Sequence, residues 1–206
     1  MLTHCFSLVR VALSALLHSA ALLAPVGLSL SAYAQAPYPN KPIRLLVPFA
    51  PGGSSEIVSR AYAQEMSKVL GQTVIVENKP GGAGNIAMVE TKNAEKDGYT
   101  IILGHVGTLA VNPGMFGATL PYDPVKDFAP ITLLSKVPSM MVVNASVPAK
   151  NLKEYVALAK SKPGSVNYGS AGNGSSGHLA MAYFNQAAGI ETQHVPYKGT
   201  GPMLTD

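Results

Sequence analysis

Three stretches of this 206-residue chain combine glycine with hydroxyl side chains in a way that can hold an anion without any cationic residue. They are Pro51-Gly52-Gly53-Ser54-Ser55, Pro80-Gly81-Gly82-Ala83-Gly84 and Ser170-Ala171-Gly172-Asn173-Gly174-Ser175-Ser176. Each lies between an apolar run that reads as a strand and a segment with helical spacing. A helix leaves backbone N–H groups unpaired at its amino end, and its dipole adds partial positive charge there. Glycine lets the backbone come close to a ligand, and serine adds donors. Helix capping accounts for any one such turn by itself. Matching turns in two halves of one chain point instead to a cleft. His105 ends a strand and His178 falls in the first turns of a helix. Either can donate to a ligand carboxylate, and either can equally be a packing residue. His194 sits mid-strand and reads as packing.

Other chemistries fit less well. Gly172-Asn173-Gly174-Ser175-Ser176-Gly177 has the spacing of a dinucleotide fingerprint. That fingerprint requires an acid at the end of the next strand, where this chain has Pro196-Tyr197. A nucleotide cofactor is therefore not expected. No G-x-S-x-G elbow is present and the acids and histidines fall in no triad order, so no catalytic residue is assigned and an exported hydrolase is disfavoured. The histidines lack metal-ligand spacing, so no metal site is expected. Glu56 and Arg60 read as an exposed helical pair four residues apart.

The elements that must position these turns alternate. Ile43 to Phe49 is a nearly continuous apolar run, as expected of a buried strand. A helix is expected from Ser54 or Ser55, acting as cap, to Leu70, with Ile57, Val58, Ala61, Tyr62, Met66, Val69 and Leu70 on one face and Gly71 ending it. Thr73 to Glu77 is the next strand, then a helix through Ile86, Val89 and Ala94, then a strand from Tyr99 to His105. This order favours a parallel sheet with ligand chemistry at the carboxyl ends of its strands. Ile131 to Asn144 forms two apolar runs broken at Pro138, read as the crossing into a second lobe. There the scheme repeats: helix Leu152 to Lys160, strand Ser165 to Ser170, helix Ser176 to Ala187, strand Glu191 to Tyr197, and a helix opening at Gly199-Thr200-Gly201-Pro202. The expected organisation is a first α/β lobe over residues 35–136 and a second over 137–206, both incomplete.

Composition narrows the classes further. Residues 1–34 hold one basic residue, Arg10, and no acid. Their long apolar run ends in Ala32-Tyr33-Ala34, the small-x-small pattern of a cleaved signal peptide. Ser14, His18, Ser19, Pro25 and Ser29 interrupt the run, which argues against a membrane anchor. The expected destination is an oxidising compartment, yet the single cysteine, Cys5, lies in the leader. Lys and Arg total 15 against 11 Asp and Glu, a formal +4. The charges are scattered, without a basic run, so a nucleic-acid partner is not expected. No later apolar span reaches membrane length, so a soluble mature chain is expected.

An ordered set of short motifs then becomes specific. Tyr38-Pro39-x-Lys41-Pro42-Ile43-Arg44, Pro48-Phe49-Ala50-Pro51-Gly52-Gly53, Val76-Glu77-Asn78-Lys79-Pro80-Gly81, Asp97-Gly98-Tyr99-Thr100, Tyr122-Asp123-Pro124, Asp127-Phe128-x-Pro130-Ile131, Gly169-Ser170-Ala171-Gly172 and His194-Val195-Pro196-Tyr197-Lys198-Gly199 occur in sequence. Together they resemble the Bug family, the periplasmic receptors of tripartite tricarboxylate transporters, over nearly the whole chain after residue 34. The resemblance implies a type II periplasmic-binding-protein fold, two α/β lobes with a ligand cleft between them. It implies capture of a small carboxylate such as a di- or tricarboxylic acid, delivered to membrane subunits of a transporter, with no cofactor and no catalysis. It places the ligand against Phe49, Gly53, Ser54 and Ser55, against His105 and Thr108, and against Ser170, Ala171, Gly174, Ser175, His178 and Tyr197. A periplasmic sensor component of the same fold is the alternative. Two departures stand out. Glu56 takes a place where the family often has Asp. The family also runs about a hundred residues further, which implies a chain truncated at its C-terminus and leaves a non-functional fragment as another alternative.

Overall fold

A computed structural model describes residues 37–206; the expected signal peptide, residues 1–34, lies outside the described residues. The first apolar run forms β1, Ile43–Val47, which pairs in parallel with β2, Val74–Asn78, and with β3, Thr100–Ile102. The order is β2-β1-β3, so the most apolar strand is central. β1 is shorter than its apolar run because Pro48 has no N–H to offer a ladder. β3 stops where that ladder stops, with Leu103 N–H donating to the Leu46 carbonyl at 2.9 Å.

Helices cover both faces, as a parallel sheet requires. α1, Ser54–Leu70, packs on the face carrying Ile43 and Leu45, where Ala63 and Val74 complete a buried cluster flanked by Met66 and Leu70. The face it buries differs from the one expected. Ser59 and Ala63 are turned inward, whereas Ile57 and Val69 are 66% and 85% exposed. Small side chains let the helix axis approach the sheet more closely than a stripe of Ile and Val would. α2, Asn85–Lys92, covers the opposite face with Ala87 and Met88, leaving Ile86 exposed. On that face Arg44 donates to Glu77 at 2.7 Å and to Glu90 at 2.6 Å, tying the central strand to its neighbour and to α2. These contacts lower both carboxyl pKa values and raise that of the guanidinium.

After β3 come a wide helical turn, Gly107–Val111, and the short α3, Asn112–Phe116. Residues 128–144 then run without strand pairing among the described residues. Their apolar side chains are largely open, Ile131 at 79% and Met140 at 87%, and Tyr62 holds the segment by donating to the Leu134 carbonyl at 2.6 Å. α4, Leu152–Ser161, follows, with Asn151 capping Glu154 N–H while the Glu154 carboxylate takes Lys150 N–H, a reciprocal capping box. A two-stranded parallel sheet joins β4, Asn167–Ser170, to β5, Gln193–Pro196, connected by α5, Ser176–Ala188. Ala149, Tyr155, Ala159 and Ile190 form its core. α6, Thr200–Thr205, follows β5. Pro39–Asp206 form one unit in which both sheets take part.

Leu46 is fully buried at the centre of the first sheet, so Leu46→Ala is expected to cost about 2–5 kcal/mol of unfolding free energy. Ile131→Ala, at an open position, is expected to change it by less than about 0.5 kcal/mol. Urea unfolding of both variants checks the contrast.

Candidate ligand-binding cleft

Parallel pairing sends the carboxyl ends of β1 and β3 to one end of their sheet, and those of β4 and β5 to one end of theirs. The turns that follow these strands meet. Ala50 N–H donates to the Lys198 carbonyl at 2.8 Å, joining the turn after β1 to the turn after β5. A side chain at Gly201 would put its Cβ 2.1 Å from the Pro51 carbonyl oxygen, and one at Gly107 would put it 2.7 Å from that of Gly174. Glycine is required at both positions because backbone meets backbone there.

Between these turns lies a small cleft of about 40 Å³. The first sheet's turns contribute Phe49, Gly53, Ser54, Ser55 and His105, and the second's contribute Ala171, Ser175, Ser176 and Thr200. Seven of the twelve residues expected at the site therefore line it: Phe49, Gly53, Ser54, Ser55, His105, Ala171 and Ser175. Ser176 and Thr200 line it too, although only the first belongs to a turn singled out for anion binding. Thr200 carries the same signal, a strand followed by a glycine-rich helix start, which the sequence shows at Gly199-Thr200-Gly201.

The helix ends differ in how they are finished. Gly53, not Ser54 or Ser55, is the cap of α1, and it supplies no side-chain bond. Among the described residues the first-turn amides of α1 thus have no side-chain acceptor, and Ser54 and Ser55 stand at the cleft. Glu56 takes Gly52 N–H at 2.7 Å and pairs with Arg60, and does not line the cleft. The Gly52 bond and then Arg60 hold its carboxyl below the usual range. At α5, Ser175 is the cap and accepts from His178 N–H at 3.3 Å.

The other five expected residues sit outside the lining. Thr108 is fully buried behind His105: its hydroxyl accepts from His105 N–H at 3.2 Å and donates to the His105 carbonyl at 3.1 Å. Ser170 is buried, with Oγ 2.7 Å from His194 Nε2 and in contact with both Gly172 N–H and its carbonyl. Gly174 is buried against Asn112 and Met115. His178 accepts from Gly174 N–H at 3.1 Å and stacks on His194, ring centres 4.0 Å apart. Tyr197 turns its hydroxyl to Asp206. His194, expected to be packing, also has a polar partner in Ser170; burial, then His178, lowers its pKa. The turn at Pro80–Gly84 is not part of the cleft, and Gly84 packs against Pro48 and Thr108.

Among the described residues, the lining carries no Asp, Glu, Lys or Arg. What it presents are backbone amides at helix ends, five hydroxyls, one imidazole and the ring of Phe49. Such a set can bind a carboxylate by hydrogen bonds without an ion pair.

The profile of the tripartite tricarboxylate transporter family receptor matches residues 58–206. The chain belongs to that family. A UPF0065 protein of Bordetella pertussis is 39% identical over 167 residues, covering 81% of this chain and 51% of its own length. The receptor fold is equally clear in solved structures. R. palustris Rpa4515, solved with adipate, is 36% identical with a TM-score of 0.79, and MatC from Rhodopseudomonas palustris, solved with bound malate, is 34% identical with a TM-score of 0.75. The match covers 82% of this chain in both cases, with 56% of the first structure's chain and 57% of the second's. The chain spans about half the length of the curated relatives it matches. Its fold is that of the periplasmic binding proteins, and among the described residues no helix is long and apolar enough to cross a membrane.

Thr108→Val keeps the shape of the buried side chain and leaves His105 N–H without its acceptor, while the His105 carbonyl keeps the bond from Leu109 N–H at 2.9 Å. The substitution is expected to lower stability by about 1–3 kcal/mol, measured by thermal unfolding.

Proposed function

We propose that this receptor captures a small carboxylate, of the di- or tricarboxylate kind, in the periplasm and presents it to the membrane subunits of a transporter. The observation that carries this reading is the meeting of two helix amino ends, from two different sheets, in a cleft lined by neutral donors. Donors of this kind match an oxygen-rich anion. Relatives of the same fold solved with adipate and malate support the ligand class. On this reading residues 35–136 and 137–206 belong to two lobes, the ligand bridges them, and the leader in residues 1–34 exports the chain. Binding, not turnover, is the proposed activity.

The cleft residues divide the work. Amides at the start of α1, with Ser54 and Ser55, take carboxylate oxygens from one side. Ser175, Ser176 and Thr200 take them from the other. Phe49 supplies the apolar wall against which a short carbon chain packs. Because turns from both sheets contribute, a bound ligand stabilises the arrangement in which they face each other.

Thermal unfolding of the protein with malate, adipate, citrate and neutral analogues tests the proposal. A ligand at a hundred times its dissociation constant adds about 2.7 kcal/mol, roughly 5–10 °C for a chain of this size. The expected result is a shift with at least one carboxylate and none with its amide. No shift with any carboxylate in the panel would contradict it.

A further inference from the structure

Two imidazoles lie face to face behind the turn that follows β4, outside the cleft lining. Tyr168 and His194 are register partners in β4 and β5, so their rings project to one face of the second sheet. They stack there with centres 5.0 Å apart. Ser170, two residues on in β4, shares that face, and its Oγ lies 2.7 Å from His194 Nε2. From α5, His178 lies on His194, ring centres 4.0 Å apart and planes 8° from parallel. His178 Nδ1 accepts from Gly174 N–H at 3.1 Å, so the neutral ring carries its proton on Nε2.

The residue held by that bond is where the second sheet's turn seats against the first sheet's turn. Gly174 is buried with φ +73°, and a Cβ there would lie 3.0 Å from Met115 Sδ and 3.2 Å from Asn112 Oδ1. Ser175, the next residue, lines the cleft and caps α5. A further proton on His178 can enter only at Nδ1, where it meets Gly174 N–H donor to donor. The bond is then lost, and the turn comes free just before Ser175. His194 meets no such conflict, because Ser170 Oγ can accept from its Nε2 or donate to it. Two charged rings this close repel, so the pair takes up one proton before a second. Burial, then His178, lowers the pKa of His194, which leaves the first proton to His178. The other ionisable groups facing the pair are Tyr168 and, behind it, Tyr155 of α4; burial raises both phenol pKa values, so both stay neutral. His105 faces the turn from the first sheet through Gly107. Among the described residues neither stacked imidazole forms an ion pair.

We propose that His178, stacked on a neutral His194, is a one-proton switch behind the cleft: it positions residues 172–175 while neutral and releases them when protonated. The consequence for affinity rests on the carboxylate reading above and links that binding to pH. Binding favours the neutral ring, so affinity is full above the pH at which the stack titrates and declines below it. His178 is a positioning residue that acts through Gly174, and it needs no contact with the ligand.

Two readouts on the full chain test it. Without ligand, the His178 ring ¹⁵N signals and the Gly174 amide are expected to move together, with one midpoint, between pH 8 and pH 5. With malate and adipate, calorimetric affinity is expected to be at least about 3-fold weaker at pH 6 than at pH 8. His178→Asn keeps an acceptor near the Nδ1 position and cannot take a proton, so its affinity is expected to match at the two pH values. A side chain that only filled space would leave the wild-type pH slope in that variant. His194→Gln keeps a partner for Ser170 and is expected to retain the slope, because the proton acts through His178. A Gly174 amide that stays still while the His178 ring titrates would overturn the proposal. So would a slope that survives in His178→Asn, which would assign the proton to His105, or one lost only in His194→Gln. Binding of no acid at either pH would remove the carboxylate reading, and the ligand-free titration of Gly174 would still decide the switch.

Discussion

Parallel pairing of β1 with β2 and β3, and of β4 with β5, is the constraint on which the rest of this structure depends. In a parallel sheet each connection must cross back over a face, so strands end and helices begin at the same edge. Four turns are thereby delivered to the cleft region, and each carries amides that its helix or turn leaves over. The Arg44 contacts to Glu77 and Glu90 tie the central strand to β2 and α2 from the far side of the sheet. The glycines at 107 and 201 let turns from the two sheets approach until backbone touches backbone. The place of the cleft follows from strand direction before any particular side chain is considered.

An uncharged lining has consequences for selectivity. A lysine or arginine in the cleft would attract any anion, inorganic ones included, and would bring a large desolvation cost. Amides and hydroxyls instead ask for acceptors at fixed places, and leave a poorly matched ligand with unpaired donors. The charged groups nearby are used elsewhere: Glu56 closes the turn at Gly52 and pairs with Arg60. The same economy shows in the imidazoles. His105 and His178 each have Nδ1 occupied by a backbone N–H two or four residues away, yet one faces the cleft and the other stacks on His194.

Much of this was legible in the sequence. Apolar runs ending in Pro-Gly-Gly or Ser-Ala-Gly mark strand-to-helix turns, and placed Ser54, Ser55, His105 and Ser175 at the right ends of the right strands. What the pattern cannot carry is the direction of a side chain within a turn. Thr108 and Ser170 lie as close in sequence to the cleft as its lining residues do, but their hydroxyls bond backwards into the protein. Tyr197 follows β5 as expected and points to Asp206 instead. The buried face of α1 misled for a related reason: periodicity weighs side chains by hydrophobicity, whereas close packing on the sheet selected Ser59 and Ala63 for their size. The apolar runs between 131 and 144, read as the crossing into a second lobe, pair with no strand among the described residues.

The central claim is that a carboxylate is held by neutral donors from two sheets at once. The most direct measurement is backbone amide and side-chain ¹⁵N chemical-shift mapping of the protein during titration with malate or adipate. The account predicts that the largest changes fall together on the amides of Ser54, Ser55, Ser175 and Ser176 and on the His105 ring, with one shared saturation curve. Changes confined to one sheet's turns, or centred on lysine and arginine side chains elsewhere, would contradict it.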